Sequence, residues 1–161
     1  MPLTVILHNI RSVHNVGSIF RTADGAGVEK IYLCGITPVP FDRFGKLRPD
    51  FAKVALGAEV VWEAAKSTAA VVRKLKKAGY VILALEQAEG SVSYDNIRKS
   101  NLVNRKSCLI LGDEVRGLPP SILKSADHIL EIPMRGKKES LNVSVAFGIA
   151  AYAFLGEDKM K

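Results

Sequence analysis

Residues 131–147 read E-I-P-M-R-G-K-K-E-S-L-N-V-S-V-A-F. An apolar run, His128 to Ile132, passes through Pro133 into a short basic loop and then into a helix expected to open at Ser140. From Leu141 onward the helix is apolar almost all round, through Val143, Val145, Ala146, Phe147, Ile149, Ala150, Tyr152, Phe154 and Leu155. A helix without a polar stripe must be covered on every side. Its first turn nevertheless carries Ser140, Asn142 and Ser144. Ser140 reads as an N-cap. Asn142 has only modest helix propensity, so its amide, beside the positive end of the helix, points to a ligand.

Outward from this stretch, short apolar runs fall at 3–8, 30–34, 59–62, 80–85, 107–111 and 128–132. Helical patterns lie between them, at about 15–26, 65–78, 119–126 and 140–155. This alternation predicts an α/β domain, a mostly parallel sheet flanked by helices. A chain of 161 residues suffices for one such domain with a full core. No repeat, low-complexity segment or linker divides it. The segments 35–58 and 86–106 read as long irregular connections, where function concentrates. Ligands of open parallel sheets sit beyond the carboxyl ends of the strands. The groups that follow residues 8, 85, 111 and 132 are therefore expected to converge on one cleft. They are His8-Asn9-Ile10-Arg11, Glu86-Gln87-Ala88-Glu89-Gly90, Gly112-Asp113-Glu114-Val115-Arg116-Gly117 and the loop quoted above.

Apolar and charged contents of 48% and 24% are those of a globular chain. The last helix is broken by Ser144 and Gly148 and is too short to span a bilayer. The first apolar run begins at Leu3 with no basic segment before it, unlike a signal peptide. Cys34 and Cys108, isolated in apolar runs, read as reduced core residues of a cytoplasmic protein. The formal charge of +7 is compatible with a polyanionic partner, though solubility alone would account for it. The positive charge clusters at Arg43 to Lys53, in the 98–106 stretch, and at Arg135, Lys137 and Lys138. Arg73, Lys74, Lys76 and Lys77 read instead as the solvated face of a helix.

Several chemistries are excluded by pattern. Gly25-Ala-Gly27 precedes a strand and lacks a third glycine, so it is no dinucleotide fingerprint. His8, His14 and His128 lack metal-ligand spacing, and no G-x-S-x-G elbow occurs. Asn15 reads as the N-cap of a helix whose apolar face is Val16, Ile19, Phe20 and Ala23. Arg21 falls beside that face, either as a snorkelling surface arginine or as a guanidinium fixed near a phosphate or oxyanion. Gly112 and Gly117 frame Asp113, Glu114 and Arg116 in a strand-to-helix turn. That turn is either a simple charged loop or one that places Glu114 against a ligand or Arg21.

Together, N-x(5)-R at 15–21, L-G-D-E-x-x-G-L at 111–118 and I-P-M-x(4)-E-S-L-N-V-S-V-A at 132–146 resemble the three motifs of the SpoU/TrmH-type RNA ribose 2′-O-methyltransferases of the SPOUT superfamily. Lys53-Val-Ala-Leu-Gly57-Ala58 resembles a further family loop. Asp113 and Val115 depart from the commoner G-N-E-G pattern. The resemblance implies an α/β knot, a deep C-terminal trefoil, and a homodimer. It implies S-adenosylmethionine as cofactor, gripped mostly by backbone around Leu85, Glu86, Gly112, Ile132, Met134 and Leu141. It assigns catalysis to Arg21, with Asn15, Glu114, Ser140 and Asn142 in support. Residues 1–161 are expected to be a single domain without an appended RNA-binding domain, so the domain itself must hold RNA. Arg11, Arg43, Lys46, Arg48, Lys53, Arg116, Arg135, Lys137 and the 98–106 stretch are the expected contacts. A compact tRNA is favoured over rRNA. A non-catalytic RNA-binding protein of the same fold is the other alternative. Neither a metal nor a membrane is expected.

Overall fold

A computed structural model describes residues 2–155, apart from the side chains of Arg98 and Val103. Strand β1 (Leu3–His8) lies at the heart of a seven-stranded, wholly parallel sheet. The others are β2 (Lys30–Cys34), β3 (Val61–Ala65), β4 (Val81–Leu85), β5 (Val92–Ser93), β6 (Ser107–Leu111) and β7 (His128–Glu131), in the order β3-β2-β1-β6-β4-β7-β5. The central strands carry apolar side chains on both faces, because helices cover both faces of a parallel sheet. Alternation sorts them. Leu3, Val5 and Leu7 point into one core with Phe20, Phe51 and Phe147, whereas Ile6 points into the other with Val71, Leu75 and Ile122.

Helices α1 (Val13–Ala26), α2 (Pro49–Ala55), α4 (Asp95–Arg98) and α6 (Val143–Leu155) supply the first core; α3 (Thr68–Lys77) and α5 (Pro120–Ser125) supply the second. The expected α/β class holds, with corrections. The segments 35–58 and 86–106 are not irregular throughout. They contain α2, β5, α4 and a 3-10 turn at Asn101–Asn104. Asn15 is not the cap of α1, since Ser12 holds that place and its Oγ accepts the Asn15 N–H at 3.1 Å. Ser140 is not the cap of α6. Asn142 precedes Val143, and its Oδ1 accepts the Ser144 N–H at 2.9 Å. Nor is α6 covered all round within one chain: Phe147, Ala150, Ala151 and Phe154 are buried, while Val145 and Tyr152 are 50% and 52% exposed.

The strand order places the carboxyl ends of β1, β6, β4 and β7 side by side. It also places β7 between β4 and β5, which precede it in the chain. Both features shape the site.

Candidate functional site

A cleft of about 670 Å³ opens along this carboxyl edge. Leu85, Glu86, Gly112, Ile132, Met134 and Leu141 all line it, as do Glu114, Ser140, Asn142 and Arg116. Three of the four expected junctions converge. The junction after β1 is used differently: His8 Nδ1 hydrogen-bonds Thr68 Oγ1 at 2.7 Å, and burial holds its imidazole below its usual pKa. Asn9, with φ of 54°, accepts the Ile36 N–H on its Oδ1. These two residues brace the sheet edge, and neither lines the cleft.

One wall is the 112–118 loop, built around Asp113. Its Oδ1 accepts the N–H groups of Val115 and Arg116 at 2.7 and 3.0 Å, and its carbonyl accepts the Gly117 N–H at 2.9 Å. An aspartate bonded to backbone two and three residues on is a turn-forming device. These donors hold the Asp113 carboxyl below the usual range, with a smaller contribution from Arg11, whose Nε lies 3.5 Å away. Gly112 is required here, because a Cβ on it would lie 2.7–2.9 Å from the Gly117 and Leu118 backbone. Glu86 locks the far end, accepting the Leu118 N–H at 2.9 Å and crowding Gly117, whose φ is 66°.

The facing wall is the 133–142 loop, exposed from Arg135 to Asn142. Gln87 Nε2 donates to the Glu139 carbonyl at 2.8 Å and ties it across the cleft mouth. At its end, Asn142 Nδ2 donates to Asn15 Oδ1, and Asn15 Nδ2 donates to Glu114 Oε1, both at 3.1 Å. One side chain from each motif thus joins a single chain of hydrogen bonds. Asn15 is buried and free to make this bridge because Ser12 has taken the capping position. Four carboxylates (Glu86, Asp113, Glu114 and Glu131) and one cation, Arg116, line the cleft. Two of the four are engaged with backbone N–H groups. The interior therefore favours a cationic ligand, although the chain as a whole is basic.

Arg21 is exposed on α1 and does not line the cleft of its own chain. It lies six residues along the helix from Asn15, so it faces elsewhere. Arg43, Lys46, Lys53, Arg135 and Lys137 are exposed outside the cleft. Arg48 is half-buried, with its Nε lacking a partner among the described residues. Gly112 and Gly117 meet the expectation of close backbone approach and positive φ, and Gln87 joins the cleft with its group, whereas the role of Asp113 in shaping the turn was not foreseen. The D-x-x-x-G spacing at 113–117 was the available signal, an Asx turn closed by a glycine.

A wholly parallel α/β sheet with a cleft built from its carboxyl-edge loops defines an α/β domain of the ligand-binding kind. The chain belongs to the SpoU rRNA Methylase family, whose model matches residues 2–152. It is 30% identical over 163 residues to the 23S rRNA (guanosine-2'-O-)-methyltransferase RlmB of Pseudomonas syringae pv. tomato, covering 99% of this chain and 60% of that one. The AdoMet-bound rRNA methyltransferase from Sinorhizobium meliloti matches with a TM-score of 0.83 at 31% identity, over 95% of this chain and 55% of that one. A structure described as giving insight into the 2-OH methylation of C/U34 on tRNA matches with a TM-score of 0.75 at 30% identity, over 93% and 91%. The chain spans about three-fifths of the length of the curated relatives it matches.

Proposed function

We propose that this protein transfers a methyl group from S-adenosylmethionine to a ribose 2′-hydroxyl of RNA, with tRNA favoured over rRNA. The observation that carries this reading is the meeting in one cleft of all six residues that the family resemblance assigns to the cofactor. The cleft suits that ligand. Leu85, Leu111, Ile132, Met134 and Leu141 offer an apolar bed for adenine, Gly112 lets the 112–118 loop fold back on itself to form the wall, and the carboxylates complement a sulfonium cation. The cofactor, when bound, supplies an electrophilic methyl group.

The chain's own residues then have to position and stabilise. A hydroxyl is a poor nucleophile, so rate comes from alignment and from offsetting charge on the developing alkoxide. The Asn142–Asn15–Glu114 bonds fix two cleft-lining side chains, Asn142 and Glu114, through the buried Asn15 behind them, and Ser140 also lines the cleft. Arg21 would supply the cation as an electrostatic stabiliser. Its exposure on α1, a helix packed against α6 with its uncovered Val145 and Tyr152, supports a homodimer in which these residues are covered by a second copy. That copy would receive Arg21 at its own cleft. The insertion of β7 between β4 and β5 supports the trefoil knot. Near-complete mutual coverage with the structure concerned with tRNA supports tRNA as the substrate. Buried, unpaired Cys34 and Cys108 support a cytoplasmic setting; among the described residues no helix is long and apolar enough to cross a membrane.

The test is Arg21→Ala with tritiated cofactor and bulk tRNA or rRNA. Transfer is expected to fall by at least ~100-fold, with cofactor affinity and sedimentation unchanged. Near-wild-type transfer would sink the assignment of Arg21. Binding of RNA and cofactor by the wild type without any transfer would establish the non-catalytic alternative instead.

A further inference from the structure

Between β2 and α2 the chain forms a tight hairpin. Phe41 and Leu47 pair in an antiparallel bridge, the Asp42 N–H donates to the Lys46 carbonyl at 2.8 Å, and Gly45 turns the corner with φ of 75°. Asp42 Oδ1 accepts the N–H groups of Phe44 and Lys46 at 2.8 and 3.0 Å, so the hairpin's single carboxylate is turned onto its own backbone. The base is anchored where Phe41 packs on Trp62, ring centroids 6.4 Å apart, and where the Arg48 N–H donates to the Pro40 carbonyl.

This rigid turn holds an aromatic ring in solvent. Phe44 is 73% exposed at the tip, although burying a phenylalanine is among the larger favourable terms open to a chain. The Arg43 guanidinium sits 4.8 Å from the ring centroid and covers one face. Lys46 follows two residues on and is exposed. An aromatic face flanked by cations is the combination that holds single-stranded nucleic acid: bases stack on the ring while the cations take the phosphates. None of these residues lines the cleft of its own chain.

We propose that the 41–47 hairpin is a base-stacking finger, in which Phe44 takes the face of an unpaired nucleobase of the RNA substrate while Arg43 and Lys46 hold the adjoining phosphates. The proposal rests on the RNA reading above and adds to it. It names a stacking residue and a substrate feature, an unpaired nucleotide. The hairpin serves capture, so its loss should appear in KM and leave kcat nearly intact.

The experiment measures binding without cofactor, to a 2-aminopurine-labelled single-stranded RNA of roughly twelve nucleotides and to a tRNA transcript. Phe44→Ala should weaken binding about 10-fold, as expected for one lost stack, and abolish the quenching of 2-aminopurine. Phe44→Trp should restore both and Phe44→Leu neither. Salt dependence should stay unchanged in Phe44→Ala, whereas Arg43→Ala and Lys46→Ala should each reduce the slope by about 0.7. Wild-type affinity and quenching in both Phe44→Ala and Phe44→Leu would overturn the proposal. So would intact RNA binding in Phe44→Ala with a changed sedimentation coefficient, which would make the hairpin a contact between copies. A wild type that binds neither RNA would defeat the RNA reading and the finger together, an outcome distinct from failure of the finger alone.

Discussion

The two loops that face each other across the cleft are built in opposite ways. Residues 112–118 are tied down at both ends, by Asp113 against three backbone N–H groups and by Glu86 against Leu118. Residues 133–142 run exposed, with Gln87 reaching over to Glu139 and Asn142 closing the far end. The difference divides the labour of binding. A wall already in place costs no ordering when a ligand arrives, whereas a loose wall must be ordered at that moment and can close over what it holds. Glycine shows the contrast at single-residue scale. A Cβ at Gly112 would strike backbone, while one at Gly136 would meet nothing within 4 Å.

The largest break in this comparison should come from Gly112→Ala. Overpacking against backbone is expected to destabilise the fold by about 3 kcal/mol and to abolish cofactor binding, read by urea unfolding and calorimetry; wild-type affinity would show that the wall is not rigid. Asp113→Ala comes next. It strands two N–H groups and should cost about 1–3 kcal/mol, together with a large loss of cofactor affinity. Acid should mimic it. Because the folded Asp113 carboxyl is held below its ordinary value of 3.8, its contribution is complete above that value and is lost as pH falls through the depressed one. Hydrogen exchange of Val115 and Arg116 should therefore accelerate in that acid window, and constant protection would refute the role. Gln87→Ala is expected to weaken the cofactor only about 2- to 5-fold, with unfolding unchanged, as one neutral hydrogen bond allows. Smallest of all, Gly136→Ala should shift stability by no more than about 0.5 kcal/mol. Destabilisation comparable to Gly112→Ala would erase the distinction between the walls.

How much of this was legible in the residues follows from how each element is determined. The inner strands were, because Leu3–His8 and Ser107–Leu111 are apolar on both faces and can be little else. Strand β5 was not: two residues, Val92 and Ser93, carry no periodicity, and pairing with β7 alone makes them a strand. Helix α2 hid behind Pro49, which reads as a breaker but also fits the first turn of a helix. Both capping expectations failed for one reason. A row of candidate polar residues, Ser12 before Asn15 and Ser140 before Asn142, does not say which one the backbone will use. In each case the asparagine turned out to hold the bridge between motifs. The convergence of the loops after residues 85, 111 and 132 on one cleft was legible because strand ends are where parallel sheets gather ligands. Arg21 stood open between a surface arginine and a fixed guanidinium, since motif order carries no information about which way a helix faces, and the structure places it on the surface.

The position of β7 has a consequence for how the molecule is made. A ribosome that stops short of residue 128 releases a chain whose β4 and β5 lack the strand that lies between them. Such a product keeps an apolar sheet with an open edge, the kind of surface that aggregates or is cleared. It also lacks Ile132, Met134, Leu141 and Asn142, and with them one side of the cleft. Completion of the sheet and completion of the site are therefore the same late event in synthesis. No product that stops short of residue 128 can display the assembled cleft.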